Sequence, residues 1–404
     1  MRLIDGSTTI VQTQISRHFF TELESLRGLA ALLVVLFHIS WMHSLYELRI
    51  IRNGSLMVDF FFVLSGFVIY HSHRGRVTNF KQFLQFIVLR IGRLYPIHLT
   101  FLMVFLVFEL AKYIAVTKFD IPSENPVFSI NSIQAFLANI FLLQSFGIHS
   151  ATFNGPSWSI SAEFYTYIIL AILLMITRKV FWLVVFSFII LFLSSSLIIS
   201  ETLSCGFVQC VASFFSGVLA YQLYHRIATL PGNKLYNSIV FDITIAIVFS
   251  MIIVTLSLPK LWCSDTIAIL LFGVFIVLLT LNPKSFMSRG LNTKFLVWIG
   301  TISYSIYMSH MSILWVYTQL MRLVFKLPVR KFDNTNSITL SDPTLGLLLV
   351  FLAILTILLV SHFTFTYIEQ PCRQRFRKIS GYRQKNAIKQ HQHVSKQRLF
   401  SHGR

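Results

Sequence analysis

Acidic side chains are scarce: Asp and Glu together number 15 in 404 residues, against 34 Lys and Arg, and charged residues of both signs make up only 12%. So little charge cannot clothe a soluble protein of this length, which excludes an ordinary water-soluble enzyme, and a composition 55% hydrophobic excludes a disordered chain. Cysteine is rare as well. Cys205, Cys210, Cys263 and Cys372 have no metal-like pairing with histidines, so no metal is expected and buried thiols are the expected state. Cys205 and Cys263 fall near the same expected membrane edge, which leaves a disulfide between them open. Short segments of alternating polarity, the mark of a membrane barrel, are lacking. What fills the chain is a series of apolar stretches of roughly twenty residues and 40 phenylalanines, the pattern of an all-α integral membrane protein.

Ten membrane-spanning helices are expected, near residues 26–46, 57–72, 97–117, 162–177, 180–199, 207–224, 238–257, 263–282, 295–322 and 344–367. The first run is longer than a signal-peptide core and is followed by no small-residue cleavage pattern, so it is expected to remain as an anchor with the amino terminus cytoplasmic. Lys and Arg then gather on the side of both termini, as the positive-inside rule requires. The net charge of +19 is thereby read as a topology signal and not as a nucleic-acid surface. The apolar segment 131–148 would reverse every later loop if it crossed, so a re-entrant or interfacial segment is expected in the outer loop between the third and fourth spans. Three regions result: a cytoplasmic segment 1–25, a membrane domain 26–371, and a tail 372–404. The tail carries ten Lys and Arg, three His and no acid, and is expected to stay mobile against anionic lipid or simply to hold the carboxyl terminus inside.

Against this apolar background a few polar residues stand out. Arg27 and His38 are eleven positions apart in the first run, so on a helix they lie within roughly 20° of one face and about 16 Å apart along the axis. An ionisable residue within a span usually faces protein or a wet cavity. A neutral imidazole there can accept a hydroxyl proton or attack an acyl group, although it can also merely bridge two helices. Arg90 and Arg93, one turn apart at the cytoplasmic start of the third span, suit phosphate by guanidinium geometry, or simply hold a loop inside. Asp59 precedes Ser65, Gly66 and Phe67, where small residues admit either a thin ligand arm or a neighbouring helix. Trp158 and Glu163 stand where the outer loop joins the fourth span; a carboxylate there can also serve the helix dipole alone. Ser303, Tyr307 and His310 repeat at helical spacing in the ninth span with Tyr304 at the flank, and His310 falls near the depth of His38. Glu109 and Lys112, three apart, are expected to neutralise each other.

Together these pieces resemble the acyltransferase family 3 membrane proteins, bacterial O-acyltransferases of surface glycans: LESLRGLA at Leu23–Ala30 with His38, FFVLSGF ending at Phe67, RxxRxxP from Arg90 to Pro96, WSISAE from Trp158 to Glu163, SYSIYMSH from Ser303 to His310, and EQP at Glu369–Pro371. The resemblance implies transfer of an acyl group, acetyl first among the candidates, from cytoplasmic acetyl-CoA or another acyl-CoA to a carbohydrate hydroxyl, such as a lipopolysaccharide or exopolysaccharide unit, in the bacterial inner membrane. It implies His38 as general base or acyl-accepting nucleophile with Arg27 and Glu163 as its catalytic companions. Arg90, Arg93, Ser65, Gly66 and Phe67 would hold the donor, and Asp59, Trp158, Tyr304, Tyr307 and His310 the acceptor. Many relatives append an esterase-like domain; without one, transfer would finish in the membrane or pass to a separate extracytoplasmic partner. A multi-span transporter or exporter is the rival expectation, with the histidines lining a polar path.

Overall fold

The computed structural model describes residues 20–121, 123, 125–149, 151–176, 205–230, 239–259, 264–332, 335–340 and 342–381. Numbered in chain order, its helices are α1 (Thr21–Phe37), α2 (Arg49–Arg52), α3 (Leu56–His73), α4 (Phe80–Phe119), α5 (Ile133–Ile140), α6 (Trp158–Ile176), α7 (Cys205–Ala228), α8 (Ile239–Ser257), α9 (Ser264–Leu281), α10 (Phe286–Leu291), α11 (Lys294–Thr301), α12 (Ser303–Gln319), α13 (Pro343–Thr364) and α14 (Gln370–Ile379). One antiparallel hairpin, β1 (Val329–Phe332) with β2 (Thr335–Ile338), interrupts them. Among the described residues seven helical stretches are long and apolar enough to cross a membrane: α3, α4, Gly155–Ile176, Gly206–Ala228, α8, α9 and Pro343–Ile379. The chain is therefore a multi-pass helical membrane protein. The expected span 180–199 and the Cys205–Cys263 pairing lie outside the described residues.

Two expected spans are shorter than their apolar runs. The first ends at Phe37, with His38 as its C-cap, because the chain beyond finds its backbone partners elsewhere: Met42 N–H donates to Ile338 O and Ile338 N–H to Ser40 O, each at 2.9 Å. Trp41 is fully buried there. The ninth is divided at Ile302 into α11 and α12 and closes in a π turn, Leu320–Val324. Conversely, α4 begins well before residue 97, capped by the Asn79 side chain accepting from Gln82 N–H at 3.0 Å. The start of the basic tail is helical: α14 continues from α13 through a π turn, and Phe376 lies so close to Gly92 of α4 that a Cβ on Gly92 would sit 2.3 Å from it.

α3 and α7 touch backbone to backbone. A Cβ on Gly66 would come within 1.8 Å of Phe214 O, and one on Gly217 within 1.8 Å of Val63 O, so the crossing exists only while both positions lack a side chain. The main apolar core surrounds this crossing, and a second unites α1, α11, α12 and α13 around Ala31, Val35, Ile299, Ile306 and Ile357. The long loop between α4 and α6 contains α5, eight residues and too short to cross, and a 3-10 turn, Gln144–Phe146. Asn139 ties it down: His98 on α4 donates from Nε2 to Asn139 O at 2.9 Å, and Asn139 Nδ2 donates to Ala135 O and Thr152 Oγ1. This pairing lets an irregular segment lie against α4 and α6 without orphaned backbone.

Candidate active site

Two cavities abut in the centre of the bundle and share Val58 and Tyr307 in their walls. The smaller, of about 60 Å³, is lined by Arg27 (α1), Ser65 (α3), Arg93 (α4), Glu163 (α6) and Tyr304 (α12), among others. Glu163 is the acceptor for two hydroxyls: Ser65 Oγ at 2.6 Å and Tyr167 Oη, which sits one turn further along α6. Arg27 pairs with Glu24 at 3.0 Å. Arg93 is half-buried and lies in the field of Glu24, Glu163 and Glu369. Glu369, 2% exposed, accepts from Ser305 Oγ at 2.8 Å and from Arg373 at 3.4 Å. Buried charge survives only when paired, and here guanidinium groups from three elements (Arg27, Arg93, Arg373) interleave with carboxylates from three (Glu24, Glu163, Glu369). Guanidinium groups so placed offer planar, multidentate donors to an anionic oxygen cluster such as phosphate.

The larger cavity, about 570 Å³, is lined by His38, Gln144, Ser145, Trp158, Tyr307 and Met311, with walls from the α4–α6 loop. His38 Nδ1 lies 2.9 Å from Val34 O. A carbonyl only accepts, so Nδ1 carries the hydrogen and Nε2 is left with its lone pair. His310 repeats the arrangement from α12: its Nδ1 donates to Tyr307 O at 2.6 Å, and its buried Nε2 has no hydrogen-bond partner among the described residues. The two rings are 5.0 Å apart, centroid to centroid. Two basic nitrogens thus lie close together, each ring held by a helix backbone carbonyl: His38 lines the cavity and His310 is fully buried beside it. Tyr307, whose hydroxyl contacts Ser159 Oγ at 2.8 Å and Pro156 O at 3.2 Å, stands between this cavity and the guanidinium site.

The structure gathers most of the expected residues but redistributes them. Arg27 and His38, expected on one face, line the two adjoining cavities, one each. Glu163, expected beside the acceptor route or a histidine, lines the cavity of Arg93 and not that of His38. Arg90 lines neither; its guanidinium lies over the Phe86 and Tyr167 rings at 5.3 and 5.7 Å. Gly66 is taken up by the α3–α7 crossing, and Phe67 packs in the core against Phe20 and Tyr221. Asp59 accepts from Gln209 at 2.7 Å and Ser213 at 2.9 Å on α7, a helix-to-helix bond. Trp158 and Tyr304 stand at the larger and smaller cavity respectively; Tyr304 donates to Leu94 O. Sequence reasoning passed over Tyr167, gave Glu369 no role beyond its motif, and passed over Arg373, Gln144 and Ser145. The first and third announce themselves as i, i+4 partners of Glu163 and Glu369; the loop residues carry no such signal. Among the described residues no cluster of metal-ligating side chains occurs.

A helical membrane protein with a buried guanidinium–carboxylate site opening onto a histidine pair is the class that fold and site define. The sequence profile of the Acyl_transf_3 family, an acyltransferase domain, matches residues 20–363, and the chain belongs to that family. It is 23% identical over 411 residues to the peptidoglycan O-acetyltransferase OatA of Listeria monocytogenes, an alignment covering 93% of this chain and 59% of the relative. It is also 32% identical over 173 residues to the acyltransferase MdmB of Streptomyces mycarofaciens, covering 39% of this chain and 40% of the relative. The chain thus spans less than two thirds of the length of either. No solved structure matches it.

Proposed function

We propose that this protein is a membrane O-acyltransferase that moves an acyl group from acyl-CoA to a carbohydrate hydroxyl, with acetyl as the first group to test. The observation that carries the proposal is the contact of the two cavities at Tyr307 and Val58, which sets a cationic phosphate-type site beside a pair of imidazole lone pairs. Arg27 and Arg93 would hold donor phosphate, and the thin pantetheine arm would reach past Ser65 and Tyr307 toward His38. The acceptor would enter the larger cavity past Trp158. His38 Nε2 takes the proton of the acceptor hydroxyl as its oxygen bonds to the thioester carbonyl carbon. The tetrahedral adduct then collapses, the C–S bond breaks, and CoA leaves as thiolate and takes the proton back from His38. His310 offers the second lone pair with which the imidazolium can share that proton.

In this reading the chain has ten spans with both termini cytoplasmic, as in a bacterial inner membrane, the guanidinium site faces the cytoplasm, and the α5 segment re-enters from the outer side. The relative named for O-acetylation of peptidoglycan supports a cell-envelope glycan as acceptor. The exporter reading loses its support to the family membership. The test uses membranes bearing wild-type protein or His38→Ala, given radiolabelled acetyl-CoA. Label in glycan that requires His38 is expected; equal label with both proteins present at equal amounts would refute the proposal. Accumulation of labelled protein in the wild type alone would replace general base by covalent catalysis.

A further inference from the structure

The His38 cavity continues sideways. A groove of about 470 Å³ runs between the C-terminal halves of α4 and α12 and shares Ala151 and Met311 with it. The volume lies within the usual span of small-molecule sites, roughly 300–1,000 Å³. Within the groove, Phe108 of α4 and Trp315 of α12 stack at 4.4 Å with their planes 14° apart, both half-buried. Around this aromatic pair stand Lys112, Gln319 and Arg322.

The wall opposite is held in place at a conformational cost. Phe128 and Phe153 both have left-handed backbones, φ 57 and 51°, which bulky residues avoid unless the surroundings enforce them. One buried carboxylate does so: Glu109 accepts from Phe128 N–H at 2.7 Å and from Asn131 Nδ2 at 2.9 Å, while Lys112 Nζ lies 2.6 Å away. Asn131 Oδ1 in turn accepts from Phe153 N–H at 2.6 Å. Glu109 and Lys112 therefore do more than neutralise each other. They pin the loop so that Phe153 lines the groove next to Ala151.

We propose that this groove is a carbohydrate subsite, seating the acceptor unit that adjoins the one whose hydroxyl reaches His38. The inference rests on the O-acyltransferase reading and names where a longer acceptor lies. A stacked aromatic pair suits the C–H face of a sugar ring, and the amide and cationic groups beside it suit its hydroxyls. An acyl chain would cover the Gln319 amide and offer it no hydrogen bond, which is costly.

The probe is glycan released from the envelope of the producing cells and sorted by length, from single residues to tetramers and above, with radiolabelled acetyl-CoA as donor. Wild-type protein is expected to acylate the longer fragments with an apparent KM on the order of tenfold below that for single residues. Trp315→Ala is expected to erase that advantage while leaving the KM for acetyl-CoA and transfer to single residues unchanged, and Trp315→Phe to retain it. Because the readout is a ratio within one protein, a lower amount of folded variant does not imitate it; if Trp315→Ala does not accumulate, Gln319→Ala is read in the same way. A Trp315→Ala protein that still prefers long fragments, or a wild type with no length preference, overturns the subsite. If no fragment receives His38-dependent label, the O-acyltransferase reading itself has failed and the subsite falls with it.

Discussion

Arg90 and Arg93 are one helical turn apart and chemically identical, yet their surroundings assign them different work. Arg93 lines the smaller cavity among Glu24, Glu163 and Glu369, whereas Arg90 spreads over the Phe86 and Tyr167 rings. Arg93→Ala is therefore expected to raise the KM for acyl-CoA by roughly 10- to 100-fold, the worth of about 1.5–3 kcal/mol for a hydrogen bond to a charged group. Arg90→Ala is expected to lower thermal stability first, through lost cation–π packing and two stripped aromatic faces. Steady-state kinetics alongside a detergent melting curve separate the two, and an Arg93→Ala protein with unaltered KM would remove it from the donor site. The sequence made His38, His310, Arg27 and Glu163 visible because an ionisable group in an apolar run needs a reason to be there. It could not show which would meet. Position along a helix gives depth, but the rotation and crossing of helices decide neighbours, and so Glu163 lies with Arg93 and Ser65 while His38 lies with His310.

At the scale of elements, the α3–α7 crossing is the contact with least tolerance. Gly66→Ala or Gly217→Ala places a methyl group 1.8 Å from a carbonyl oxygen of the partner helix, which only a shift of backbone can relieve. Each is expected to destabilise by at least the ~1–3 kcal/mol of ordinary overpacking, seen as a lower melting temperature; a wild-type melting curve would show that the helices can part freely. Asp59, joined to Gln209 and Ser213 across the same crossing, is expected to matter in the same measurement. The apolar runs disclosed that α3, α4, α6, α7, α8, α9 and α13 exist. They did not disclose where α1 stops or where the ninth run divides, because those ends are set by distant partners: β2 supplies the backbone bonds of residues 40–42, and hydropathy carries no record of them. The helix at the start of the tail was illegible for a similar reason. Its basic residues look like a solvated run until Phe376 is placed on Gly92.

For the whole molecule, the charge asymmetry predicts an orientation that can be tested directly. In a cysteine-free background, Asn125→Cys in the α4–α6 loop is expected to react with an impermeant maleimide on intact spheroplasts, and Lys81→Cys at the start of α4 only after permeabilisation. The reverse pattern would invert the membrane and with it the assignment of donor and acceptor faces. Such an orientation gives the partition at Tyr307 a pharmacological meaning. A compound lodged against Tyr307 and Val58 would occupy the end of both substrate paths at once, so its inhibition would be competitive toward the thioester and the sugar alike. It would not need to cross the headgroup layer on the inner face, since the roomier approach to that partition lies on the side of Trp158.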